Sequence, residues 1–143
     1  MSAALLVDGI NCSYGDVQAL HGLSIEIRSG EVHCLLGRNG AGKTTALRAI
    51  MGLVRVRSGK ITKDGMELTG LPAHEVPKTG IGYVPQGRRL FTELTVLENL
   101  QIGLMTRGKG QTTMDEVLQL FPVLRERLKQ RSGTLSGGEQ QML

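Results

Sequence analysis

The chain has 143 residues, 40% hydrophobic and 21% charged, with a formal net charge of +4, which fits one folded domain and excludes a disordered or collagen-like chain. It contains no run of eighteen or more apolar residues, and Met1 to Val7 has neither the basic start nor the long apolar stretch of a signal peptide, so a cytosolic protein without a membrane span is expected. Cys12 and Cys34 are too few and too isolated for a disulfide framework or a zinc site. Both are expected as reduced thiols packed like small hydrophobes. Basic residues are scattered except for Arg125 to Arg131, and only two Tyr and two Phe are available to stack on bases. No nucleic-acid partner is expected on this footprint.

In chain order, Leu5 and Val7 begin a strand, and Leu23, Ile25 and Ile27 alternate with Ser24, Glu26 and Arg28 as a half-buried strand requires. Gly15-Asp16 and Ser29-Gly30 mark turns. Val32 to Leu36 is a short, mostly apolar run, the pattern of a strand buried on both faces in a parallel sheet. A glycine-rich loop follows it, and then Ala46, Leu47, Ile50, Met51 and Val54 keep helical spacing to about Leu53. Gly59 to Thr69 reads as two short strands around Asp64-Gly65, a favoured hairpin turn, and Ile81 to Val84 as a further short strand.

Beyond Pro85-Gln86 the pattern becomes helical. Thr95 with Glu98 and Thr113 with Glu116 each match the capping box, in which the hydroxyl and the carboxylate satisfy each other's exposed backbone donors. Each is expected to start a helix. Pro122 is placed to open another that carries Leu124 and Leu128. The sequence thus reads as an α/β protein, with a sheet core over about residues 1–90 and a mainly helical subdomain over about 91–143. His33 falls in the apolar run and His74 in a loop, and they are read as structural or solvent residues.

The strongest chemical signal is Gly37-Arg38-Asn39-Gly40-Ala41-Gly42-Lys43-Thr44, which matches G-x-x-x-x-G-K-[ST] between a strand-like run and a helix. The glycines allow several backbone N–H groups to turn inward. With the positive end of the following helix they make a cradle for phosphate oxygens. Lys43 is expected on the β- and γ-phosphates of a nucleotide and the Thr44 hydroxyl on Mg²⁺. The loop alone does not choose among kinases, GTPases and transport ATPases.

Tyr14-Gly15 upstream, "GRNGAGKTT" as Walker A, "YVPQ" with Gln86 as the Q-loop and "LSGGEQQ" as the signature occur in one order along the chain. On these residues the chain resembles the nucleotide-binding subunit of an ATP-binding cassette (ABC) transporter. The resemblance implies a P-loop NTPase fold with a mixed sheet core and a helical subdomain. It implies that Tyr14 stacks on adenine, that Lys43, Thr44 and Thr45 hold phosphates and Mg²⁺, and that Gln86 reaches the metal and the attacking water. Leu135, Ser136, Gly137, Gly138 and Glu139 would serve the ATP of a second ABC subunit in a head-to-tail dimer. The other implied partners are transmembrane permease subunits and, through them, a substrate-binding protein. The implied location is the cytoplasmic face of the membrane, as a peripheral subunit.

"VPQGRRLFTELTVLENL", together with the ending "LSGGEQQML", is similar to the ATPases of branched-chain amino-acid importers and of urea importers. In the family a helix and a strand follow the signature, carrying the Walker B aspartate, the catalytic glutamate and then a switch histidine. None falls within these 143 residues. The chain is therefore expected to be a C-terminally truncated cassette that does not sustain ATP hydrolysis alone and leaves a sheet edge uncovered. A nucleotide-binding module that does not hydrolyse ATP is the competing reading, and a non-transport ABC protein is a third.

Overall fold

The computed structural model describes residues 4–87, 89–105 and 110–143, the side chains of 110–112 excepted. The chain divides into two compact units, Met1–Gly82 and Tyr83–Leu143.

The first unit is built on a four-stranded antiparallel sheet of order β2-β1-β3-β4, comprising β1 (Leu5–Tyr14), β2 (Val17–Ile27), β3 (Val56–Lys63) and β4 (Met66–Glu67). The Gly15-Asp16 turn joins β1 to β2 in the register Tyr14↔Val17 through Leu5↔Ile27. Leu23, Ile25 and Ile27 are half-buried while Ser24 and Glu26 are exposed, as the alternation requires. Asp64 and Gly65 both have positive φ, 47° and 81°, the two-residue turn geometry that matches the twist of the flanking strands.

Helix α1 (Lys43–Ile50) lies against this sheet. It buries Thr45, Ala46, Ala49 and Ile50 with Val7, Ile10, Leu20, Ile61 and Leu68. Full burial of an Ile or Val side chain is worth about 1.5–3 kcal/mol, so Ile10, Ile61 and Val7, all inaccessible, fix which face of the sheet the helix covers. The helix stops before Leu53 because Gly52 takes φ 67° and the amides of Gly52 and Leu53 bond back to Ala49 and Arg48, a left-handed cap. Leu47, counted in the apolar stripe, is exposed instead.

Two expected strands do not form. Val32 to Leu36 carries no ladder bonds, and Val32 and Leu36 are 100% and 83% exposed. Ile81 to Val84 is likewise unpaired. An apolar run becomes a buried strand only when neighbours pair with both its edges, and no described residue pairs with either segment. The described sheet is accordingly antiparallel. Cys12 is buried, and burial pushes its thiol pKa up, whereas Cys34 is exposed along with its run. His33 is also solvent-facing, with its Nε2 2.8 Å from Glu31 Oε2.

The second unit packs α2 (Val96–Leu104), α3 (Gly110–Leu120), α4 (Pro122–Glu126) and α5 (Gly137–Met142) around Val96, Met114, Leu118, Leu124 and Leu135. Thr95 and Glu98 form the reciprocal cap expected at the start of α2, and Pro122 is the first residue of α4. Helix α3 begins at Gly110, so Thr113 lies inside it and not at its start, while Met114 and Leu118 pack into the second core. Of the Arg pair that follows Gln86-Gly87, Arg88 lies outside the described residues.

Candidate nucleotide-binding site

Gly42 fixes the join between the glycine-rich loop and α1. Its φ of 91° places it in the left-handed region, and a Cβ there would meet the Leu20 side chain at 2.7 Å and the Ala19 carbonyl at 3.1 Å. Only glycine lets the loop close onto β2 at this point. Neither a side-chain cap nor an acidic residue occupies the first turn of α1, so the first amides of the helix have no partner within it and its positive end is unopposed.

The loop curls around the Lys43 ammonium, whose Nζ donates to the carbonyls of Gly37 and Arg38, each at 2.7 Å. The Ala41 amide bonds to the Arg38 carbonyl, closing a turn, and Gly40 takes φ 83°. Residues 37–41 and Thr44 are exposed, whereas Thr45 is buried against the sheet. The loop Gly37, Arg38, Asn39, Gly40, Ala41 and Gly42 carries no carboxylate, so a cation, a helix terminus and free backbone donors share one exposed mouth. That is a site for an anion with several oxygens.

Tyr14 belongs to the same unit. It sits at the tip of the β1–β2 hairpin, 46% exposed, opposite Val17. Gly42 touches β2 at Ala19, two residues further on, or about 7 Å at strand rise. The exposed aromatic residue at the end of β1 and the point where the phosphate loop meets β2 thus both belong to the β1–β2 hairpin.

Gln86 and the "LSGGE" residues lie in the second unit. Gln86 is exposed and followed by Gly87 at φ 87°. Leu135 is buried in the second core and anchors the motif, while Ser136, Gly137 and Gly138 are exposed. The Ser136 hydroxyl accepts from the Glu139 amide at 3.3 Å, and the Ser136 amide donates to Glu139 Oε2 at 2.8 Å.

These bonds from Ser136, with Arg127 3.2 Å from Glu139 Oε1, hold the Glu139 carboxyl below the ordinary glutamate range. A carboxyl whose folded pKa is lowered adds stability that is complete above its unfolded pKa, about 4.3, and is lost as pH falls through the folded value. A carbon-detected titration should place the Glu139 midpoint below about 4.3, with the Ser136 amide resonance moving in step; a midpoint at or above that value would show that the cap does not hold.

Sequence reasoning missed the supports behind the signature. The Asn99 carboxamide accepts from the Phe91 amide at 3.0 Å and donates to the Thr95 carbonyl at 2.9 Å and to Ser132 Oγ at 3.2 Å. Ser132 is fully buried, and its hydroxyl donates to the Phe91 carbonyl while its own carbonyl accepts from Gln140. Gly133 packs where a Cβ would lie 3.0 Å from the Thr92 carbonyl. Asn99 follows the capping Thr95 by one helical turn, and no local pattern marks it as a hub because its partners are up to 33 residues away.

Among the described residues no group of three or more His, Cys, Asp or Glu could cage a metal ion. A Mg²⁺ ion held by a single hydroxyl such as that of Thr44 together with phosphate oxygens fits this donor set. No helix among the described residues is long and apolar enough to cross a membrane.

A phosphate cradle at a helix N-terminus, beside a sheet that carries an exposed aromatic tip, defines a P-loop nucleotide-binding protein. The ABC transporter family pattern matches residues 20–143, and the chain belongs to that family. It is 49% identical over 141 residues to the high-affinity branched-chain amino acid transport ATP-binding protein BraG of Pseudomonas aeruginosa, covering 97% of this chain and 60% of that one. It is 41% identical over 136 residues to the probable branched-chain amino acid transport ATP-binding protein LivF of Archaeoglobus fulgidus, covering 94% and 58%. The ADP conformation of an ATP-binding cassette of an ABC transporter superposes with a TM-score of 0.81 at 26% identity, covering 99% of this chain and 62% of that one. The chain spans about 60% of the length of these relatives.

Proposed function

We propose that the chain is the ATP-binding part of an importer for branched-chain amino acids. The observation that carries the nucleotide half of this reading is the Lys43-centred loop closed onto β2 beside the Tyr14 tip. Tyr14 stacks on adenine, and the amides of Gly40, Gly42, Lys43, Thr44 and Thr45 cradle the phosphates, with the Ala41 amide holding the turn on the Arg38 carbonyl. The Lys43 ammonium turns from the Gly37 and Arg38 carbonyls to phosphate oxygens, and the Thr44 hydroxyl ligates Mg²⁺. Mg²⁺ held there would supply charge neutralisation for the phosphates. Gln86 is assigned to the metal and the attacking water, and Arg38 and Asn39 to the shape of the loop.

The signature residues Leu135 to Glu139 are assigned to the ATP of a second ABC subunit in a head-to-tail dimer. Transmembrane permeases, fed by a substrate-binding protein, complete the assembly at the cytoplasmic face of the membrane. ATP hydrolysis coupled to transport is the activity proposed for that assembly.

The substrate class rests on the two relatives named for branched-chain amino-acid transport. Deleting the gene from its host should lower high-affinity uptake of labelled leucine, isoleucine and valine, with urea uptake unchanged. Loss of urea uptake alone, or of neither, would overturn the substrate assignment.

A further inference from the structure

The hairpin tip that carries Tyr14 extends beyond the three-stranded part of the sheet. The last rung between β1 and β3 is Cys12↔Val56, so Ser13, Tyr14, Gly15 and Asp16 have only β2 beside them, and the β1–β2 register shifts between Cys12 and Ser13. A two-stranded ribbon twists more freely than a strand held on both edges, and on its own it is marginally stable. Beside the tip, a groove of about 410 Å³ lined by Ser13, Arg55, Val56 and Arg57 leaves its β3 side open.

One side chain crosses to the tip. The Arg57 guanidinium, from β3, donates through Nη2 to the Gly15 carbonyl at 2.6 Å. Among the described residues no other side chain hydrogen-bonds to residues 13–16. Gly15 directly follows Tyr14 and takes φ 56°, so its carbonyl direction and the course of the turn are set together. A charge-assisted bond here limits the twist of the ribbon, and with it the plane in which the Tyr14 ring is presented.

We infer that Arg57 is a positioning residue for base recognition: it braces the hairpin tip so that the Tyr14 ring meets the purine face of a nucleotide whose phosphates lie in the loop. The inference rests on the proposed stacking role of Tyr14. Because Arg57 bonds the turn and not the loop, its effect is confined to ligands that carry a base. Alternatives in which Arg57 is a phosphate contact or a general stabiliser lack that confinement.

The test titrates ATP and inorganic triphosphate, each with Mg²⁺, into the 143-residue chain and its Tyr14→Ala, Arg57→Ala and doubly substituted variants. Triphosphate affinity should be the same in all four, which also reports that the loop is folded. ATP affinity should fall about tenfold in Tyr14→Ala, in the range of one lost base–aromatic stack, and about threefold to tenfold in Arg57→Ala. The double variant should be no weaker than Tyr14→Ala, since the brace acts only through the ring. If Tyr14→Ala binds ATP as tightly as the parent, the stacking role itself is wrong. If Tyr14→Ala weakens ATP and Arg57→Ala does not, the stacking role stands and the brace is overturned. Equal losses of ATP and triphosphate in Arg57→Ala, or additive losses in the double variant, would also overturn the brace.

Discussion

Replacing Lys43 with alanine should lower the affinity of the chain for ATP by roughly 100-fold, equivalent to about 3 kcal/mol, while its thermal unfolding stays near that of the parent. The side chain is half-buried by its own loop and belongs to neither the core cluster nor the residues packed against it, so its removal leaves the packing of α1 on the sheet unchanged. Two separate losses add to the binding effect. Charge-assisted bonds to phosphate oxygens disappear, each worth about 1.5–3 kcal/mol. The loop also loses the cation that gathers the Gly37 and Arg38 carbonyls, so the backbone amides are no longer held ready for the ligand. Calorimetric titration with ATP and Mg²⁺ measures the effect, and a variant within threefold of the parent would show that the cradle does not bind phosphate through this residue.

The largest effect on folding is expected at a residue far from any motif. Gly59 on β3 takes φ 90°, and a Cβ there would lie 2.5 Å from the Gly9 carbonyl oxygen and 2.6 Å from that of Asp8. The β1–β3 register shifts between Asp8 and Asn11, so the two backbones close on each other at that irregularity. Both obstacles are backbone atoms of the central strand and cannot step aside as a flexible side chain would. Gly59→Ala should therefore combine a left-handed backbone cost of about 1–2 kcal/mol with an overpacking cost of about 1–3 kcal/mol. That sum is a large part of the stability of a small domain.

Gly65→Ala is the matched comparison. Gly65 also has positive φ, 81°, but nothing lies within 4 Å of its added Cβ, so only the backbone cost of about 1–2 kcal/mol remains. Denaturant unfolding of the two variants should separate them by at least about 1 kcal/mol. Equal destabilisation would mean that β1 and β3 do not approach as closely at Gly59 as the structure has them.

The residues that touch a ligand are the legible part of the site, because their signal is local. A phosphate loop needs glycines and a lysine at fixed spacing before a helix. A capping box needs a hydroxyl and a carboxylate three residues apart. Thr95 with Glu98 therefore reads correctly from the chain alone, as do the Asp64-Gly65 turn and the start of α4 at Pro122. Thr113 with Glu116 carries the same local pattern but lies inside a helix that starts three residues earlier, at Gly110.

The supports for those residues were not legible. Arg57 reaches Gly15 across 42 positions, Asn99 reaches Ser132 across 33, and Gly42 closes on Ala19 and Leu20 of another element. Val32 to Leu36 shows the same limit from the other side: its composition suits a buried strand, yet it is exposed because burial needs paired neighbours that composition does not supply. The sequence by itself determined the family, the phosphate loop and the helix caps, whose physics is written within a few consecutive residues. Only the tertiary structure decided which strands pair, which glycines are irreplaceable and which side chains hold the site in place, because hydrogen bonds and close contacts between distant segments depend on where folding brings them.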